Sequence, residues 1–181
     1  MVRKLFKKFT ILDLIILAFM AGIGIAVKPL AATVAHLLTG PLMIPGGSFA
    51  GGLYMMFIVL GAALVGKTGS ATLIALVQAL LVIVTGIYGS HGVASLFTYV
   101  LPGVLVDVLW LIMRHNGCCM LCCFFGSIIA NVTGAFLVDA VFMRLPVIPL
   151  LLSLFVAAIS GGVGGVIAWK LATPLKKVLK M

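Results

Sequence analysis

The sequence predicts an all-α integral membrane protein: a single bundle of six transmembrane helices over residues 1–181, with both termini cytoplasmic. Three observations lead there. The 181 residues are 64% hydrophobic and 8% charged, with a mean hydropathy of +1.39. Twelve Lys and Arg with three acidic residues are too few to cover a water-soluble core of this size. Six apolar windows are each long enough to cross ~30 Å of hydrocarbon at ~1.5 Å per residue. The cations divide unevenly between the two sets of connections, ten against two, which puts the cation-rich side in the cytoplasm. No window alternates polar and apolar residues as a barrel strand would, so helix is the remaining way to satisfy the backbone in lipid.

The first window is Phe9–Val27. Arg3, Lys4, Lys7 and Lys8 precede it, and Thr10 with Asp13 has the spacing of a capping box. The alternative, a cleaved signal peptide ending near LAATVA, fits poorly with a long apolar run that begins with an acid. Ala18, Gly22 and Ala26 form a stripe of small residues on one helix face, suited to close approach of another helix. The charge-free stretch Leu37–Tyr54 follows, with two prolines and five glycines. Those residues disfavour regular helix, so it is expected either as a plain outer loop or as an ordered wall or lid of a pocket.

Window two, Ser48–Gly66, ends at Lys67, and window three, Ala71–Tyr88, carries Gln78 near its middle. Window four, Val93–Met113, contains Tyr99 and Asp107 and ends at Arg114. Window five, Cys118–Phe142, begins with CCMLCC and carries Asn131 and Asp139; Arg144 follows it. Window six, Val147–Trp169, has the small stripe Ala157, Gly161 and Gly165 and leads into Lys170, Lys176, Lys177 and Lys180. Lys28 and Arg144 are the two cations assigned to the outer side. The basic ends suit an anionic inner leaflet, so the +9 charge implies no nucleic acid.

Polar groups in lipid are costly, and their depth is informative. Tyr54, Tyr88, His91, Tyr99 and Asp139 fall toward the outer half, with Gln78 and Asn131 nearer the middle. All of these but Tyr99 are the candidate substrate-binding residues. Each also has a structural reading: tyrosines as an interfacial belt, His91 in a solvated loop, Asp139 paired with Arg144, the amides bonded between helices. Asp107 is read equally as structural or coupling-related. The cysteines could form a thiolate site or serve as reduced packing residues; packing is the expectation, with no metal and no cofactor. No HExxH or GxSxG pattern occurs, and the one run with the letters of GxxxxGK[ST], GAALVGKT at Gly61–Thr68, ends an apolar window rather than joining a strand to a helix as a phosphate-cradling loop does, so neither catalysis nor ATP hydrolysis is expected of this chain.

The layout resembles the substrate-binding S component of an energy-coupling factor (ECF) transporter. The residues carrying the resemblance are the Gly40-Pro41 segment after window one, the glycine- and aromatic-rich start of window two, VQALL at Val77–Leu81, and AISGGVGG at Ala158–Gly165. Within that family it looks most similar to the branch handling thiamine and its hydroxymethylpyrimidine precursor. The resemblance implies a small vitamin-like ligand captured outside, a membrane coupling subunit docked on Ala18, Gly22 and Ala26, and two cytoplasmic ATPases, all in a prokaryotic plasma membrane. Gln78, an amide where cationic thiamine would favour a carboxylate, points to the neutral pyrimidine. The alternatives are a stand-alone small-solute carrier or channel and a cysteine-based membrane redox protein.

Overall fold

The computed structural model describes residues 9–39, 46–86, 95–115, 117 and 119–179. They form six helices: α1 (Ile11–Thr39), α2 (Gly46–Val65), α3 (Ser70–Thr85), α4 (Ser95–Met113), α5 (Met120–Phe136) and α6 (Val147–Leu179). A π-helical segment, Leu137–Phe142, continues α5. Five of these are long and apolar enough to cross a membrane, and α3 is a shorter apolar helix. At 16 residues, α3 is about 24 Å long.

The centre of the bundle is α2, which touches α1, α3, α5 and α6. Its sequence is nearly uniformly apolar, as suits a membrane helix that is buried along most of its length, with Phe49 and Leu53 exposed near its start. Contacts between α1 and α3, α3 and α4, α4 and α5, and α5 and α6 complete the arrangement. The main core, from Leu17 through Ile58, Ile74 and Val106 to Trp110, lies toward the end that carries the termini. Two smaller clusters, Ile25–Ala79–Val82–Tyr99 and Ala31–Ala35–Ala50, lie toward the opposite, distal end.

The start of α1 is as the spacing predicts. The Thr10 N–H donates to the Asp13 carboxylate at 2.6 Å, and the Asp13 N–H donates to the Thr10 hydroxyl at 3.3 Å. Lys67 reaches the same carboxylate, joining the α2–α3 connection to the first turn of α1.

Two helices run well beyond their expected ends. The first does not stop at Val27: α1 passes through Lys28 and Pro29 to Thr39. Proline removes one backbone donor, but Ala31 and Ala35 continue the inward face and pack on Ala50 of α2. The sixth continues ten residues past Trp169 because Leu175 and Leu179 still reach the core, while Pro174 is exposed.

The expectation of irregular backbone over Leu37–Tyr54 is corrected at its start, while from Ser48 onward the helix is the one window two predicts, begun two residues earlier. Leu37 to Thr39 belong to α1, and Gly46 to Tyr54 form the first turns of α2; residues 40–45 lie outside the described residues. The Gly51-Gly52 pair therefore serves as contact surface, whereas a Cβ on Gly47 would meet nothing within 4 Å. A Cβ on Gly51 would run into the Asn131 side chain, and one on Gly164 would run into the Gly52 carbonyl. The stripe on α6 packs inward as expected: a Cβ on Gly161 would come within 2.8 Å of the Ser127 carbonyl.

Candidate solute-binding site

Polar side chains from α2, α5 and α6 meet at the distal end. The π-helical segment matters here, because its wider turn shifts the angular phase of the residues after Phe136. Asn131 and Asp139, eight positions apart, are thereby both brought to one residue of α2, Ser48. The Asn131 amide donates to the Ser48 carbonyl at 3.2 Å and to the Ala157 carbonyl of α6 at 2.8 Å. Asp139, 1% exposed, accepts from the Ser48 hydroxyl at 3.2 Å and from the Ser153 hydroxyl. The two serine hydroxyls are themselves 2.6 Å apart. One turn deeper, Ser160 donates to the Phe49 carbonyl and accepts from the Gly52 N–H at 3.2 Å.

Beside this network lies a cavity of about 280 Å³, with Asp139, Ser48, Tyr54, Gly134 and Met143 in its wall. A hollow of about 330 Å³ between α4 and α5 is lined by Leu105, Val108, Ile112 and other apolar side chains; its surface is suited to hydrocarbon and carries no recognition chemistry. The Asp139 cavity combines a carboxylate, hydroxyls and a phenol ring, a pattern that orients a small polar solute.

Tyr54 also belongs to a second polar group. The Lys28 ammonium lies 5.5 Å from the Tyr54 ring centroid and 4.4 Å from that of Tyr99. Lys28 also donates to the Tyr99 hydroxyl. One helical turn before Lys28, Gly24 leaves room for the Gln78 amide, and Gln78 is 3% exposed.

Of the six candidate residues, Tyr54 and Asp139 line one cavity and Asn131 braces its floor. Gln78 sits apart from them, on the α1–α3 side. Tyr88 and His91 lie outside the described residues. Asp139 is held by serine hydroxyls rather than by Arg144. Asn131 spends both described bonds on backbone carbonyls and acts as a structural tie. Lys28 was missed as a site residue: a cation next to proline reads as the end of a helix, and only the continuation of α1 to Thr39 places it among aromatic rings.

The remaining polar residues have other roles. Asp107 accepts from the N–H groups of Ala71 and Thr72 at 3.4 and 2.8 Å and from the Thr72 hydroxyl at 2.6 Å. It caps α3 from a neighbouring helix, where the residue before α3 is Gly69, with no side chain to do so. Cys122 and Cys123 are fully buried, the Sγ atoms of Cys119 and Cys122 are 2.9 Å apart, and among the described residues no three His, Cys, Asp or Glu side chains form a metal-binding group. On α1 the stripe faces outward: Ala18 and Ala26 are exposed, and a Cβ on Gly22 would meet nothing within 4 Å.

Residues 12–133 match the family of the permease component of an ABC-type cobalt transport system. The chain belongs to this family. The permease is thus a multi-pass membrane transport protein. Its fold is similar to that in a crystal structure of an S component of an ECF transporter, with a TM-score of 0.78 over 94% of the permease and 87% of that chain, at 16% identity. No curated protein matches the permease in sequence.

Proposed function

We propose that the permease is the substrate-binding S component of an ECF-type ABC importer. It captures a small vitamin or vitamin precursor at the extracellular, distal end. A membrane coupling subunit docks on the outward stripe Ala18, Gly22 and Ala26, and two cytoplasmic ATPases supply the energy. The observation that carries the reading is the Asp139 cavity: a buried carboxylate, fixed by two hydroxyls, in the wall of a space that fits a small organic molecule. Asp139 accepts N–H or O–H donors from the solute, and Tyr54 offers a ring face. The amino group and flat ring of hydroxymethylpyrimidine suit both.

The family description favours a second reading, cobalt itself as cargo. A first-row cation is usually held by several nitrogen, oxygen or sulfur ligands together. The Asp139 cavity offers one carboxylate among hydroxyls, which favours the organic solute.

The purified permease is expected to retain such a solute with nanomolar affinity, about −12 kcal/mol, and to copurify with a coupling subunit. Thermal melting against a panel of vitamins and precursors, with cobalt(II) as one member, tests the first point. A panel in which cobalt(II) alone stabilises the protein favours the ion, and one in which nothing does overturns the reading.

A further inference from the structure

We propose that Lys28, with the phenol of Tyr99 and beside the ring of Tyr54, is an anion-recognition point that takes the carboxylate or phosphate group of a molecule held at the distal end. The inference rests on the S-component reading and moves its substrate class from the neutral pyrimidine to a solute that carries an anionic group. It begins with the charges of the whole chain. There are three acidic residues among 181, Asp13, Asp107 and Asp139, and each is engaged elsewhere. Asp13 pairs with Lys67. Asp107 caps α3, and Asp139 is bonded to Ser48 and Ser153. Among the described residues Lys28 meets no carboxylate, and residues 1–8, 40–45, 87–94, 116, 118, 180 and 181 contain no Asp or Glu.

Lys28 is nevertheless half-buried within a membrane helix, with α1 continuing eleven residues beyond it. An ammonium in that setting is costly without a counter-charge. The two rings supply part of the compensation, since a cation within about 6 Å of an aromatic face is attracted to it; the distances here are 4.4 and 5.5 Å. What they do not supply is negative charge. An anionic oxygen from outside the chain does.

The hydrogen bonding is arranged to receive one. An ammonium has three donors and a phenol both donates and accepts. Because Lys28 donates to the Tyr99 oxygen, the Tyr99 proton is directed elsewhere, and two donors from α1 and α4 can converge on one anion. Tyr54 is shared by the two groups: Lys28 lies near its ring, and it stands in the wall of the Asp139 cavity. A solute with an acidic group at one end and an N–H donor at the other would engage both.

The same chemistry could come from a soluble anion or from a phospholipid headgroup, and nanodiscs distinguish them. The permease is melted in phosphatidylcholine nanodiscs with phenyl phosphate, inorganic phosphate or benzyl alcohol, and in phosphatidylglycerol nanodiscs without additive. Phenyl phosphate is expected to raise the melting temperature where benzyl alcohol does not. Lys28→Met should weaken its apparent affinity at least tenfold, Lys28→Arg should retain most of it, and Tyr99→Phe should fall between. Stabilisation by phosphatidylglycerol alone, again lost in Lys28→Met, upholds the anion site with lipid as its source. Equal stabilisation of wild type and Lys28→Met, or equal action of the neutral alcohol, overturns it, as does no response to any anion. The unliganded melting temperature of each variant shows whether it folds, and Lys28→Arg and Tyr99→Phe keep the test valid if Lys28→Met does not. A permease that copurifies with a coupling subunit yet is indifferent to anions refutes this inference and leaves the S-component reading standing.

Discussion

At the scale of single residues, the three aspartates show how a few charges are used in a chain written for lipid. Asp13 closes a capping box and holds Lys67; Asp107 satisfies the start of α3; Asp139 faces a cavity. Their expected phenotypes differ accordingly. Asp107→Ala leaves two backbone donors of α3 without their acceptor, and bonds to a charged acceptor contribute about 1.5–3 kcal/mol each when broken. The Ala71 bond is long at 3.4 Å and the Thr72 bond short at 2.8 Å, so a loss close to that of one full bond, about 2–3 kcal/mol, is expected in denaturant unfolding, with Asp107→Asn recovering part of it because an amide oxygen still accepts. Asp139→Asn should behave in the opposite way. The Ser48 and Ser153 hydroxyls can turn to accept from an amide, so folding is expected to survive. Solute retention should fall tenfold or more, about 1.4 kcal/mol, in equilibrium binding. Unchanged retention would remove Asp139 from the site.

At the scale of elements, glycine decides both what packs and what was legible. In water a Gly-Pro-rich run breaks helices. In lipid the same glycines let helices meet at their backbones, which is why GGSFAGG reads as a loop and folds as the start of α2. The six apolar windows, the Thr10–Asp13 cap and the inward stripe of α6 were legible, because hydropathy and spacing report them directly. The continuation of α1 past Pro29 was not, since it depends on Ala31 and Ala35 finding Ala50, a contact made in space. Two glycine substitutions separate the uses of these surfaces. Gly164→Leu would drive a side chain into the Gly52 backbone, which cannot yield as a flexible side chain would, and should abolish monodisperse protein in size-exclusion chromatography. Gly22→Leu enters open space, so the permease should fold and bind solute normally. Its copurification with a coupling subunit should be lost, and retention of that complex would place the docking face elsewhere.

At the scale of the whole molecule, the two ends of the bundle are built differently, and the proposed function depends on which faces outward. The end carrying the termini is closed by the main core and the Asp13–Lys67 pair. The distal end holds the Asp139 network, its cavity and Lys28 with its rings. The sequence assigns ten cations to the side of the termini and two to the other, which favours a cytoplasmic terminal end; one of the two, Lys28, lies within α1 rather than in a loop. Arg114 and Arg144 are exposed residues just past α4 and past the π-helical segment, at opposite ends of the bundle, and suit a direct test. With the four native cysteines changed to alanine, Arg144→Cys should react with a membrane-impermeant maleimide in intact cells, and Arg114→Cys only after permeabilisation. The reverse labelling would open the Asp139 cavity to the cytoplasm. A site on that side cannot scavenge a scarce external solute, so the importer reading would fall even with every contact in the fold intact.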